Sequence, residues 1–233
     1  MSQRTIAIGD IHGCAAEFAE LLDVLSLHSD DTVIQLGDMI NRGPDSASVL
    51  RLVRENNIQA ILGNHERRLL RYRWTKDQSL LKKYDPETLD QLSAEDWDFL
   101  ENLPPFIYNH ELQTVFVHGG FNPFSQHIWR EQHVSVMTTI QVVDSEGKPA
   151  KRSHVPDGVD WAEHWKGPPF VVFGHTPRPE VHRKPWALGL DTACVFGGHL
   201  TACIFPEREI VQVKSKVNYA RSKTLPQPVE ASK

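Results

Sequence analysis

The stretch Thr5-Ile6-Ala7-Ile8-Gly9-Asp10-Ile11-His12-Gly13 decides how this chain is read. An apolar run ends abruptly at Gly-Asp, the pattern of a buried strand entering a loop. The same ending recurs downstream. Thr32-Val33-Ile34-Gln35-Leu36 runs into Gly37-Asp38, and Ile58-Gln59-Ala60-Ile61-Leu62 runs into Gly63-Asn64-His65-Glu66. A run ending at Val117 meets His118-Gly119-Gly120, and Phe170-Val171-Val172-Phe173 meets Gly174-His175-Thr176. Between the first three runs, Phe18, Leu21, Leu22 and Leu25, then Val49, Leu50, Leu52 and Val53, recur at helical spacing. They predict helices over residues 14–25 and 46–55. Strand–helix alternation of this kind implies right-handed parallel βαβ units. The polar residues then gather at the carboxyl edge of the strands, where open α/β sheets bind ligands.

Outward from that frame the signals weaken. Residues 65–103 read as helical and polar, with Ser93 as an N-cap before Ala94-Glu95-Asp96-Trp97. Residues 106–117 predict a hairpin around Asn109-His110-Glu111. Residues 121–168, rich in Pro, Trp and polar side chains, read as long loops with short elements. The segments 187–191, 199–205 and 209–213 suggest closing antiparallel strands. The expected organisation is one catalytic domain over residues 1–213, followed by a polar, mobile tail over 214–233. The tryptophans at 129, 161, 165 and 186 are expected to pack in core and loops, although rings of this kind can also stack on a base.

Bulk properties narrow the function classes. The chain has 233 residues, 40% hydrophobic and 24% charged, with a net charge of −5. That length is enough for a hydrophobic core without disulfides. An acidic balance carries no broad footprint for extended nucleic acid. Cys14, Cys194 and Cys203 are odd in number and lack paired spacing, so reduced thiols in a reducing compartment are expected. No apolar run approaches the roughly 20 residues that span a bilayer. The N-terminus lacks the apolar stretch of a signal peptide. A cytoplasmic protein without membrane contact is the expectation, and nothing in the sequence assigns an oligomeric state.

The residues at the strand ends carry the chemistry. Asp, Asn and His supply oxygen and nitrogen donors suited to manganese, iron or zinc. An Asp-x-His pair such as Asp10 and His12 aims two donors from one loop. A carboxylate such as Asp38 can bridge two ions, which lie roughly 3.5–4 Å apart in two-metal sites. Each piece alone is ordinary: Gly-Asp is a common turn, and a strand-end histidine is usually a hydrogen-bonded loop residue. Five such endings in one chain are not ordinary, since Gly-Asp-Ile-His-Gly by itself is a chance match on the order of one in a thousand at average residue usage. Arg42, in the loop after Asp38, offers a planar fork for two phosphate oxygens.

The ordered set Gly9-Asp10-Ile11-His12-Gly13, Gly37-Asp38-Met39-Ile40-Asn41-Arg42-Gly43, Gly63-Asn64-His65-Glu66, His118-Gly119-Gly120 and Gly174-His175-Thr176 resembles the phosphoprotein-phosphatase branch of the calcineurin-like metallophosphoesterases. Small bacterial serine/threonine protein phosphatases and symmetrical dinucleoside tetraphosphatases are the members it resembles most. The resemblance implies a four-layer α/β/β/α sandwich of two mixed sheets. It implies two divalent transition metal ions, manganese first, with one on Asp10, His12 and Asp38 and the other on Asp38, Asn64, His118 and His175. It implies that His65 protonates the leaving oxygen and that Arg42, Asn64 and Arg130 bind phosphate, with Arg152 and Arg178 as substitutes for Arg130. An Asp in many relatives, hydrogen-bonded to the acid histidine, is replaced here by Asn41, which retains an acceptor but no charge. The expected activity is phosphate-ester hydrolysis resembling that of a serine/threonine protein phosphatase. The alternative is a symmetrical dinucleoside tetraphosphatase, and a non-catalytic binding scaffold is a remote third. The corresponding partners are a phosphorylated protein or a nucleotide substrate.

Overall fold

The structure is a computed structural model that describes residues 4–220. In chain order its elements are β1 (Thr5–Ile8), α1 (Ala15–Leu25), β2 (Thr32–Gln35), α2 (Ser46–Glu55), β3 (Gln59–Ala60), α3 (Asn64–Thr75), α4 (Asp85–Leu89), α5 (Ala94–Glu101), β4 (Phe106–Asn109) and β5 (Thr114–Val117). There follow α6 (Val134–Thr139), β6 (Val142–Val143), β7 (Pro149–Ala150), β8 (Val159–Asp160), α7 (Trp161–His164), β9 (Phe170–Phe173), β10 (His182–Lys184), β11 (Ala187–Gly189), β12 (His199–Phe205) and β13 (Glu209–Lys214). Short 3-10 turns lie at Gln78–Leu80 and Pro123–Glu131.

Two mixed five-stranded sheets form the centre, in the orders β13-β12-β1-β2-β3 and β10-β11-β9-β5-β4, with a small third sheet β7-β6-β8. The apolar strand runs are explained by burial of both faces. Successive residues in a strand point to opposite sides. Ile6 and Ile8 accordingly join the layer under α1 and α2, together with Phe18, Leu21, Val49 and Val53, whereas Ala7 faces the other sheet. Val115, Val117, Val171 and Phe173 face outward onto Phe121, Met137, Trp161 and Trp165. Phe116, Val172, Leu188 and Leu190 meet Ala7, Ile34, Leu36 and Cys203 between the sheets. Three apolar layers between four layers of secondary structure give the α/β/β/α sandwich.

Local signals hold at the helix ends. Asp45 caps α2 by accepting from the Ser48 amide at 2.9 Å. Ser93 caps α5 in a reciprocal box with Asp96, as its sequence predicts. β1, β2 and β3 are parallel, and β4–β5 form the expected hairpin. Trp161 and Trp165 are core residues, and all three cysteines are free and buried.

Two expectations change. β11 runs parallel to β9, because the unforeseen strand β10 reverses the chain just before it. Alternation in a sequence reveals faces, not the direction of the neighbour. The polar segment read as a mobile tail also starts too early at 214. Lys214 closes β13, the Ser215 hydroxyl donates to Glu17 at 2.7 Å, and the Ala220 carbonyl accepts from the Tyr84 hydroxyl at 2.8 Å. The remainder of that segment, 221–233, lies outside the described residues. Among the described residues no helix is long and apolar enough to cross a membrane.

Candidate metal centre

The six expected donors come from five loops at the carboxyl ends of β1, β2, β3, β5 and β9, and the structure brings them together where the two sheets share an edge. Two groups share Asp38. His12, Asp38 and His65 offer ligand atoms within 4.8 Å of one another, and so do Asp38, His118 and His175. Asp10 Oδ2 lies 3.9 Å from His12 Nε2, and Asn64 Oδ1 lies 3.2 Å from His118 Nε2. Asp38 is at the hub, 3.5 Å from His12 Nε2 and 3.4 Å from His118 Nε2.

The glycines before these donors are there for space. A Cβ on Gly63 would collide with the Asp38 amide and carboxylate, and one on Gly174 would collide with the Asp10 carboxylate. His12, Asp38, Asn41, Arg42 and His175 all have positive φ, between 51° and 78°, despite carrying side chains. Backbone strain of this kind persists where surrounding contacts over-determine it, and it clusters at functional sites.

Those contacts are visible. The Glu66 carboxylate is fully buried and accepts from the amides of Met39 (2.8 Å), Asp38 (3.0 Å), Gly63 (3.1 Å) and Ile40 (3.2 Å). It thereby ties the first turn of α3 to the loop that carries Asp38. The imidazoles are aimed in the same way. His118 Nδ1 meets the Leu36 carbonyl at 2.8 Å and His12 Nδ1 meets the Ile40 carbonyl at 3.2 Å, leaving each Nε2 for the centre. His175 Nε2 meets the Thr139 carbonyl at 3.3 Å, which leaves its Nδ1. Both Asp10 oxygens accept from the His175 amide.

Electrostatics prepare these groups to hold cations. Burial pushes His12 and His175 down to about 3, assisted by Arg42 for the first and His118 for the second. Both are therefore neutral lone-pair donors at pH 7. Burial would raise Asp38, yet His118, then His65 and His12, outweigh it and hold the carboxyl well below its ordinary range. Burial opposes charge on His118 as well, but Asp38 and Asp10 push it up to about 10. Burial and Asp191 push Asp10 well above its usual value. A buried set of Asp, Asn and His donors with this much unbalanced acidity fits divalent transition metal ions.

Around the donors, three further placements matter. Arg42 Nη1 reaches to 2.6 Å from His12 Nε2, at the centre of the cluster. Asn41 is not hydrogen-bonded to His65, contrary to the expected link. Its Oδ1 accepts from the Arg42 amide at 2.7 Å, and its Nδ2 donates to Asp85. Asp85 in turn holds Arg68, at 2.7 and 2.9 Å, and Arg68 Nη2 lies 3.2 Å from His65 Nδ1. Guanidinium can only donate, so His65 Nδ1 accepts and its proton resides on Nε2. Arg130 is a correction too. It is exposed and lies over the Tyr108 and Trp129 rings, each 4.8 Å away, and it does not line the cleft above the donors. Of its substitutes, Arg178 pairs with Asp160, and Arg152 donates to the Gly158 carbonyl at 3.2 Å. The cleft is lined instead by Arg42 and Arg68. Arg68 and Asp85 escape sequence reasoning. Arg68 stands three residues after His65 on one helix face, a usable signal; nothing in the sequence points to Asp85.

Two mixed sheets with an Asp/Asn/His cluster at their shared edge define a metallophosphoesterase. The chain belongs to the calcineurin-like phosphoesterase family, whose family model matches residues 3–203, and it is a metal-dependent hydrolase. A curated relative from Oceanobacillus iheyensis, a bis(5'-nucleosyl)-tetraphosphatase PrpE of the asymmetrical kind, is 31% identical over 93% of this chain and 94% of its own length. A symmetrical bis(5'-nucleosyl)-tetraphosphatase from Nitrosomonas europaea is 29% identical over 90% of this chain and 97% of its own. A crystal structure of a candidate diadenosine tetraphosphatase superposes with a TM-score of 0.81, at 33% identity over 92% of this chain and 95% of that one.

Proposed function

We propose that this protein hydrolyses dinucleoside tetraphosphates, with diadenosine tetraphosphate as the reference substrate. The observation that carries the reading is the match, over nearly the full length of both chains, to relatives named for that reaction. The serine/threonine phosphatase reading, expected first from the motifs, yields to it. Relatives at 31% and 32% identity are of the asymmetrical kind, so unequal products, one nucleoside triphosphate and one nucleoside monophosphate, are expected in place of two diphosphates.

The residues divide the work as follows. Asp10, His12, Asp38, Asn64, His118 and His175 would hold two divalent cations, with manganese the first choice and iron or zinc compatible with the donors. When bound, such a pair acts as a Lewis acid on phosphate and lowers the pKa of water. Arg42 grips phosphate oxygens with its planar fork. His65, whose proton is on Nε2, faces the leaving oxygen and supplies a hydrogen bond as the anhydride breaks. Asn41 acts on the loop, fixing the Arg42 amide, and reaches His65 only through Asp85 and Arg68. A phosphate leaving group needs little protonation, which suits an acid histidine lacking a carboxylate partner. The setting is taken to be cytoplasmic, consistent with free thiols.

The test is chromatography of the products formed from diadenosine tetraphosphate with Mn²⁺. ATP and AMP in equal amounts are expected. Two ADP would assign the symmetrical reaction, and intact substrate alongside rapid phosphopeptide hydrolysis would overturn the nucleotide reading.

A further inference from the structure

The cleft above the donors, of about 540 Å³, has a wall that the hydrolysis of one phosphate ester does not explain. Beyond Arg42 it carries Arg68, Lys82, Lys83 and Lys151, of which Lys83 lies over the Tyr84 ring at 4.9 Å. The acids lining the same cleft are Asp38, at the hub of the metal donors, and Asp85, already engaged by Arg68 and Asn41. Among the described residues neither the Lys82 nor the Lys151 ammonium has an ion pair. Lys151 is nevertheless half-buried, and burial, then Lys82, Arg68 and Arg67, lower its pKa. Cations thus line the cleft beside the metal donors, with Lys151 close enough to Lys82 and Arg68 to feel both. Arg68 has Asp85 as its counter-ion, but Lys82 and Lys151 stand near one another without one, and like charges so placed raise the local potential and draw an anion with several charges.

We propose that Arg68, Lys82 and Lys151 form a subsite for the phosphates beyond the one attacked, so that the protein selects polyphosphate chains over monophosphates. The inference deepens the proposed function and rests on its placement of the attacked phosphate at the metal donors. The chain as a whole is acidic, which favours a compact anion over an extended polyanion.

The experiment is calorimetric binding to the Mn²⁺-loaded protein at constant free Mn²⁺. The probes are imidotriphosphate, whose P–N–P bridges resist hydrolysis, and orthophosphate. The variants are Lys82→Gln, Lys151→Gln and the double change, with KM for diadenosine tetraphosphate measured alongside. Wild type should bind imidotriphosphate at least tenfold more tightly than orthophosphate. The double variant should lose about tenfold for imidotriphosphate, the scale of one charge-assisted hydrogen bond, with orthophosphate changed less than twofold. No preference in wild type, or equal losses for both probes, would overturn the subsite. If the imidotriphosphate preference depends on the lysines but diadenosine tetraphosphate is not cleaved, only the nucleotide reading falls. Turnover with KM and imidotriphosphate binding untouched in the double variant removes the subsite and leaves the nucleotide reading standing.

Discussion

At His65 the chemistry turns on one proton. Arg68 donates to Nδ1, so Nε2 carries the hydrogen that the proposed reaction directs at the leaving group. General acid assistance contributes roughly 10²–10⁴-fold where the leaving oxygen is basic. His65→Asn should therefore lower kcat by about 100-fold or more for an alkyl phosphate, and by about tenfold or less for a phosphoanhydride or an aryl phosphate. Equal losses for all three would show that His65 acts through the metals and not on the leaving group. His118 offers a second test at this scale. Asp38 and Asp10 push its pKa up to about 10 against burial, so at pH 7 it holds a proton that a metal would have to displace. The sign follows: apparent metal affinity rises with pH up to about 10, by about tenfold per unit for each proton displaced. Calorimetric titrations across pH 6–9 in buffers of differing ionisation enthalpy check both the slope and the proton release. The donors themselves are legible in sequence because each is among the first polar residues after an apolar run. The chain Asn41–Asp85–Arg68–His65 is not, since Asp85 lies 44 residues from Asn41 and joins it only through the fold.

Among the elements, the junction of β2, β3 and α3 shapes the centre. Glu66, in the first turn of α3, gathers four backbone amides from the Asp38 loop and the end of β3. Burial pushes its carboxyl up to about 7, with Asp38 adding to the rise. Glu66→Gln keeps the volume but puts an amide N–H against donors that need an acceptor. Metal affinity should fall by about 10–100-fold, the range for partners that orient ligands, with the circular dichroism spectrum retained. Unchanged affinity would separate the loop's conformation from metal binding. Element existence is well marked along β1–α1–β2–α2–β3, where two periodicities alternate. It is poorly marked in residues 121–168, where Trp161, Trp165 and Phe121 build a core without any regular spacing. Arg130 misleads for the same reason: its partners Tyr108 and Trp129 belong to different elements and meet only in three dimensions.

In the whole molecule, the site exists because two sheets pack face to face and present their strand ends at one edge. β1, β2 and β3 deliver Asp10, His12, Asp38 and Asn64 from one sheet, and β5 and β9 deliver His118 and His175 from the other. The layer between the sheets therefore sets the distance between the two halves of the centre. Phe116, fully buried there, meets Phe205 edge-on at 5.9 Å. Phe116→Ala should cost about 3–5 kcal/mol and lower Tm by roughly 6–20 °C at 2–4 °C per kcal/mol for this size. Scanning calorimetry reads it, and metal affinity should weaken as the sheets lose their spacing. A Tm within about 2 °C of wild type would mean that the layer is not what holds the sheets together.

The most direct measurement is an anomalous-scattering map from crystals grown with Mn²⁺. Two peaks roughly 3.5–4 Å apart are expected, bridged by Asp38, with Asp10 and His12 on one and Asn64, His118 and His175 on the other. A single peak, or peaks away from Asp38, would contradict a centre built jointly by the two sheets.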